Sequence, residues 1–191
     1  PYTTLFRSGV RFVAAYPITP ATEILEWLAR TLEHLGGELL QAEDELASIN
    51  MAIGGSFGGV PTLTATSGPG LALMIEALGL AVSSETPVVV VDVQRGGPST
   101  GIPTKSEQGD LNIAVYGLHG DAPHVVTAPN SVADCLFTAQ WSVYPVASLR
   151  LFSTNAITAS TSARLAMPSL HAGGRSPSSS ASSAPVARSS T

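Results

Sequence analysis

From residue 9 to residue 144 short apolar runs alternate with stretches of helical spacing, and this alternation predicts the fold class before any motif is considered. VRFVAA (10–15) reads as a strand ended by Pro17. Over 21–35, Ile24, Leu25, Leu28, Leu32 and Leu35 fall on one helical face, with Glu26 and Arg30 paired at i,i+4 on another. ELLQAE (38–43) is the next strand, followed by a helix rich in small residues over about 44–57. VPTLTATS (60–67) and a helix over 69–83 come next. PVVVVDVQ (87–94) is the clearest strand, a continuous β-branched run of the kind buried on both faces of a parallel sheet. A weaker helix near 107–116, the strand HVVTAP (124–129) and a helix near 131–143 complete the series. Five strands alternating with helices imply right-handed βαβ crossovers, hence an α/β fold with a parallel sheet and helices on both faces.

In such sheets ligands bind at the carboxyl ends of the strands, where helix N-termini present free N–H groups. The candidate chemistry of this chain sits there: YPITP (16–20) after the first strand, Glu43, Asp44 and Glu45 after the second, TSGPG (66–70) after the third and QRGGP (94–98) after the fourth. Thr19 before Pro20 reads as a helix cap, and its hydroxyl is also placed to face a ligand. The three carboxylates at 43–45 complement a helix dipole, but three are more than a dipole requires. Glu43, still on the strand, is the one expected in the crevice. The glycines of Thr66, Ser67, Gly68, Pro69 and Gly70 permit close backbone approach to a flat or anionic ligand, and equally suit a plain strand-to-helix turn. Arg95 is a planar, bidentate donor suited to a substrate carboxylate, with local carbonyls as the alternative partner. The connection 95–106, with its glycines and prolines, is of the length that tends to be functional. Thr19, Glu43, Ser67 and Arg95 are therefore expected together at one edge of the sheet. His34 and His119 read as surface or capping residues, and nothing functional attaches to His124, His171 or Cys135.

Composition narrows the classes. The chain has 191 residues and a formal charge of −5, which argues against nucleic acid or an anionic membrane as a partner. Its longest apolar runs are strand-sized, too short to span a bilayer. A lone cysteine cannot make an internal disulfide, a zinc site or an iron–sulfur cluster, and a cytoplasmic location is the default. Charge is unevenly spread: all 14 acidic residues lie at or before Asp134, and the remainder carries none. From about Pro145 the periodicity stops, and text such as SPSSSASSAP (176–185) takes over. Residues 145–191 are therefore expected to be either a natural disordered tail or a frame-shifted one, and to supply no further strand. The first eight residues, PYTTLFRS, join a clean strand pattern without a turn signal and match the translation of a sequencing adapter, so 1–8 are expected to be an artefact.

Five strings carry a resemblance: AYPITPATEILEWLA (15–29), QAEDELASINMAIGGS (41–56), TATSGPGLALMIEALGLA (64–81), PVVVVDVQRGGPSTGIPTKSEQGDL (87–111) and YGLHGDAP (116–123). In this order and spacing they resemble the alpha subunit of 2-oxoacid:ferredoxin oxidoreductases of the 2-oxoglutarate type, in its pyrimidine-binding, thiamine-diphosphate domain. The resemblance covers 9–144 and departs after about Tyr144, where the family continues with another strand and further domains. It thus implies a truncated, incomplete domain.

The resemblance also implies roles. Glu43 would hydrogen-bond N1′ of the aminopyrimidine and favour the imino tautomer that acts on the thiazolium C2 proton. Thr19 and Arg95 would hold the oxo and carboxylate groups of the 2-oxoacid, with Thr66, Ser67, Gly68, Pro69 and Gly70 beside the cofactor rings. A GDG…N motif for diphosphate and magnesium is missing: Gly-Asp occurs only at Gly109-Asp110 and Gly120-Asp121, in other contexts. No metal site is assigned here. Thiamine diphosphate would be shared with a beta subunit that holds the magnesium and the iron–sulfur cluster, with ferredoxin, coenzyme A and a 2-oxoacid as the other partners. Two alternatives stay open, a non-oxidative thiamine-diphosphate decarboxylase and a non-enzymatic flavodoxin-like binding module.

Overall fold

The computed structural model describes residues 9–148 and 156–160. The segment 1–8 and the tail beyond 160, including SPSSSASSAP, lie outside the described residues. In chain order the elements are β1 (Phe12–Ala15), α1 (Thr22–Thr31), a 3-10 turn (Glu33–Leu35), β2 (Glu38–Gln41), α2 (Glu45–Phe57), β3 (Thr62–Thr66), α3 (Gly68–Ser83), β4 (Val89–Val93), α4 (Asp110–Tyr116), β5 (Val125–Thr127), α5 (Val132–Ser148) and β6 (Ala156–Ser160). All pairings are parallel, in the order β2-β1-β3-β4-β6-β5.

The first predicted stripe is buried at four of its five positions, while Leu35 falls in the 3-10 turn and is half-buried. Ile24, Leu25, Leu28 and Leu32 of the first helical stripe pack with Val143 of α5 on Val13, Ala15, Leu63, Ala65 and Val89. The opposite face buries Ile49, Ala52, Leu71, Met74 and Leu78 of α2 and α3, with Ala114 of α4, on Val88 and Val90. Each of these larger side chains contributes about 1.5–3 kcal/mol by leaving water, so alternate residues of β3 and β4 are committed to opposite layers. The predicted Glu26–Arg30 pair forms at 4.0 Å on the solvent side of the helix, where such pairs add little.

Two expectations about the end of the chain are corrected. Helix α5 does not stop at Pro145 but runs to Ser148. A strand does follow: Ala156–Ser160 inserts between β4 and β5, Val89 to Val93 pairing with Ala156 to Ser160. A strand hydrogen-bonded on both edges is specified by its neighbours' main chains as much as by its own pattern, so the short AITAS segment gives little periodic signal. The six-stranded sheet puts the chain's reversal of direction between β1 and β3, which is where a crevice opens at the carboxyl edge of an α/β sheet.

Candidate functional site

Adjacent strands β2, β1, β3 and β4 deliver Glu43, Thr19, Ser67 and Arg95 to the same carboxyl edge. Thr19 lies in an exposed turn, but it is not the cap of α1: that position is Ala21, and no side chain caps the helix. What ties Thr19 down is its main-chain carbonyl. Arg95 Nη1 donates to Thr19 O at 2.7 Å, and Nη2 donates to Thr100 O at 2.8 Å. Arg95 is buried, and its Nε has no hydrogen-bond partner. The guanidinium thus clips the loop after β1 to the loop after β4.

The three neighbouring carboxylates divide their tasks. Asp44 caps α2, its Oδ1 accepting from Ala47 N at 2.7 Å. Glu45 turns inward and is 9% exposed. Glu43 lies in the bend beyond β2 rather than on the strand, is exposed, and takes no part in the cap. A carboxylate released from structural duty is therefore left at the edge.

In the TSGPG turn, Thr66, Ser67, Gly68 and Gly70 are buried and Pro69 half-buried. Ser67 holds the cap position of α3, yet its hydroxyl makes no cap bond and has no partner. The glycines have internal reasons. A Cβ at Gly68 would collide with the Asp110 carboxylate, and one at Gly70 with Thr66 Oγ1 and the Glu45 side chain. Both are occupied by this chain's own side chains rather than left as a cradle.

Asp92 and Asp110 belong to this edge and were not among the predicted site residues. Asp92 is fully buried in β4 opposite Thr66, and neither carboxylate oxygen has a partner. Burial pushes its carboxyl well above the usual carboxylate range, and the charge of Asp110 adds to the rise. Asp110 opens α4 and is likewise raised by burial, against the opposing pull of main-chain N–H bonds from Arg95 and Gly68. A signal for Asp92 was present: one acid inside an apolar run that fills both faces of a sheet is a functional-site candidate.

The 95–106 connection is folded. Gly96 and Ile102 bridge antiparallel, Gly96 N donates to Lys105 O, and Gly97 N donates to Glu107 Oε2. Gly101 has φ +55°, and a Cβ there would collide with Gly96 O, so this turn requires glycine. His119 meets Glu76 at 3.4 Å in full exposure, whereas His124 sits between the carbonyls of Ala122 and Ala114. Among the described residues, no group of three or more His, Cys, Asp or Glu side chains is placed to hold a metal ion, and no helix is long and apolar enough to cross a membrane. An open groove of about 630 Å³ lies by Arg11, Gly36, Gly37 and Glu38, at the amino end of β1 and β2 and away from these groups.

Comparison with known proteins agrees with this fold. The profile of a family described as pyruvate flavodoxin/ferredoxin oxidoreductase, thiamine-diphosphate-binding, matches residues 4–160. The 2-oxoglutarate synthase subunit KorA of Methanocaldococcus jannaschii is 54% identical over 128 residues, which is 67% of this chain and 35% of that protein. The 2-oxoglutarate oxidoreductase subunit KorA of Mycobacterium tuberculosis is 52% identical over 127 residues, 66% of this chain and 19% of the relative. A solved structure of 2-oxoglutarate:ferredoxin oxidoreductase from Magnetococcus marinus, with 2-oxoglutarate, coenzyme A and succinyl-CoA bound, superposes with a TM-score of 0.76 at 47% identity, covering 83% of this chain and 27% of that one. The chain spans about a third or less of the length of these relatives.

Proposed function

The chain belongs to the pyruvate flavodoxin/ferredoxin oxidoreductase family, in its thiamine-diphosphate-binding domain, and from that premise we propose that it forms the pyrimidine-binding half of the active site of a 2-oxoacid:ferredoxin oxidoreductase. The 2-oxoacid is 2-oxoglutarate, in keeping with the relatives that carry that name. The observation that carries the reading is the pairing of an exposed Glu43 with an Arg95–Thr19 clip on neighbouring strands of one sheet edge.

The donor set fits thiamine diphosphate. An exposed carboxylate that caps nothing is what an aminopyrimidine N1′ requires as partner, and the adjoining Ser67 hydroxyl is buried without a partner. Bound there, the cofactor supplies a carbon nucleophile and an electron sink for loss of CO₂. The chain's own residues do the rest. Glu43 holds a proton at N1′, which sets the tautomer of the ring. Arg95 has donor capacity beyond its two carbonyl bonds, and with the Thr19 hydroxyl it orients the 2-oxoacid by carboxylate and oxo group. Thr66, Ser67, Gly68, Pro69 and Gly70 form the wall beside the rings, backed by Asp110 and Glu45.

A beta subunit completes the site. It would hold the diphosphate, its magnesium and the iron–sulfur cluster that passes electrons to ferredoxin. Coenzyme A would accept the acyl group, and the complex would work in the cytoplasm. The test is viologen reduction by the assembled alpha and beta chains with 2-oxoglutarate and coenzyme A. Coenzyme-A-independent aldehyde formation would instead indicate the non-oxidative decarboxylase, and full turnover by Glu43→Gln would support a non-catalytic binding module.

A further inference from the structure

Behind the exposed edge, on the face covered by α2, α3 and α4, the carboxyl ends of β3 and β4 bury a polar cluster of Thr64, Thr66, Asp92 and Asp110. Three of its carboxylate oxygens have no hydrogen-bond partner: both of Asp92 and Oδ2 of Asp110. The Asp110 carboxylate faces the main chain of two neighbouring segments. It accepts the main-chain N–H groups of Gly68 and Arg95 and packs so closely on Gly68 that no Cβ fits between them. One carboxylate thereby satisfies the first N–H of α3, which Ser67 leaves uncapped, and the N–H of the residue that clips the two loops.

Carboxylate oxygens buried without a donor are costly while the group is ionised, and a proton on Asp92 removes the charge from the more buried of the two. A carboxylic acid is a donor where a carboxylate is only an acceptor, and two neighbouring buried carboxyls do not both ionise. Asp92 is the more buried and engages no N–H group; Asp110 is the one fixed as acceptor. We propose that Asp92 is a neutral acid, and that Asp110, kept as an anion, is a positioning residue that locks the main chain of Arg95 to the TSGPG turn. The charged groups that act on Asp110 are Arg95 at the end of β4 and Glu107 before α4. The guanidinium favours the anion on Asp110, whereas Glu107 opposes it and the charge of Asp110 opposes one on Asp92, so one charge is what the cluster holds.

The functional half of this inference rests on the roles proposed above for Arg95 and the turn; the protonation half does not. Both are tested in the assembled complex. Asp110→Ala and the milder Asp110→Asn should accelerate amide exchange in peptides containing Gly68 and Arg95 tenfold or more. They should also raise the KM for 2-oxoglutarate by tenfold or more while changing kcat by less than threefold. Asp92→Asn, neutral and of nearly the same shape as the protonated acid, should leave exchange at both amides within twofold, whereas Asp92→Ala, which empties the space, should accelerate it. In the infrared difference spectrum of parent minus Asp92→Asn, the C=O stretch of a neutral carboxylic acid should appear. Absence of that band, or equal acceleration of exchange by Asp92→Asn and Asp92→Ala, overturns the proton assignment. Faster exchange in Asp110→Asn with an unchanged KM overturns the positioning role. Should the parent complex turn over no 2-oxoacid, the functional reading fails, while exchange and infrared still decide the protonation.

Discussion

Replacing Arg95 by Lys keeps the charge and removes the fork. Arg95 is 7% exposed and places two terminal nitrogens on two carbonyls of two different loops, Thr19 O at 2.7 Å and Thr100 O at 2.8 Å. An ammonium is a compact donor on a flexible stem and does not reproduce that planar span. Lysine keeps one carbonyl and leaves the other without its charged donor. A hydrogen bond from a charged donor contributes about 1.5–3 kcal/mol, and about 1.4 kcal/mol is a factor of ten. The arrangement with both loops clipped should therefore be populated about ten- to a hundredfold less. If Thr19 and Arg95 orient the 2-oxoacid, that factor appears in its KM in the assembled complex, measured by viologen reduction, with cofactor affinity little changed. Amide exchange offers a second reading, because Ile102 N on Gly96 O and Gly101 N on Pro98 O lie in the clipped loop. An unchanged KM with unchanged exchange would refute the reasoning entirely. Faster exchange with an unchanged KM would leave Arg95 as a structural clip and remove it from the substrate site.

Four further outcomes are expected. Glu43→Gln should lower kcat by about 10²–10⁴ and leave the thermal midpoint of the complex unmoved, since Glu43 is exposed and Asp44 does the capping; a shifted midpoint would assign Glu43 a structural task. Gly68→Ala should destabilise by about 1.5–3 kcal/mol for each charged hydrogen bond lost, because the new Cβ displaces the Asp110 carboxylate; a thermal midpoint equal to the parent's contradicts this. Asp92, raised by burial and by Asp110, keeps its proton in the native state above the pH at which the unfolded chain releases it, so its contribution to stability declines as pH rises through that window. The gain in thermal midpoint from Asp92→Asn should accordingly be larger at pH 7 than at pH 4, and the opposite order would reverse the sign of the argument. The 191-residue chain alone should reduce no viologen with 2-oxoglutarate and coenzyme A; turnover without a partner would show that the site is complete in one chain.

The strands and helices over 9–144 were legible because each is periodic in a layered fold. A doubly buried strand such as 89–93 and a one-faced helix such as 22–31 have different apolar spacings, and both are plain in this sequence. Strand β6 was not legible, since AITAS is five residues long and is held by ladders on both sides. The edge was legible as a location but less so in its details. Adjacent residues entering a helix point in very different directions, so the order Glu43, Asp44, Glu45 could not say which carboxylate caps, which turns in and which stays out. Thr19 looked like a cap because Pro follows it, yet the helix starts later, after Ala21.

Asp92 and Asp110 show where reading from local pattern ends. The anomaly of an acid in PVVVVDVQ is visible in one dimension, but its partner is not, because the folded 95–106 loop separates the two in sequence and Asp110 returns only through the start of α4. The same return explains the glycine at 68, whose missing side chain makes room for Asp110, not for a ligand. The polar groups at this edge thus fall into two sets. Thr19 and Glu43 are exposed, so substitution there should change chemistry before it changes the fold. Asp92, Arg95 and Asp110 are buried, Arg95 and Asp110 against main chain and Asp92 without a hydrogen-bond partner. Substitution among these three should move the backbone first and alter chemistry only through that movement, which makes amide exchange at Gly68 and Arg95 the measurement that separates the two sets.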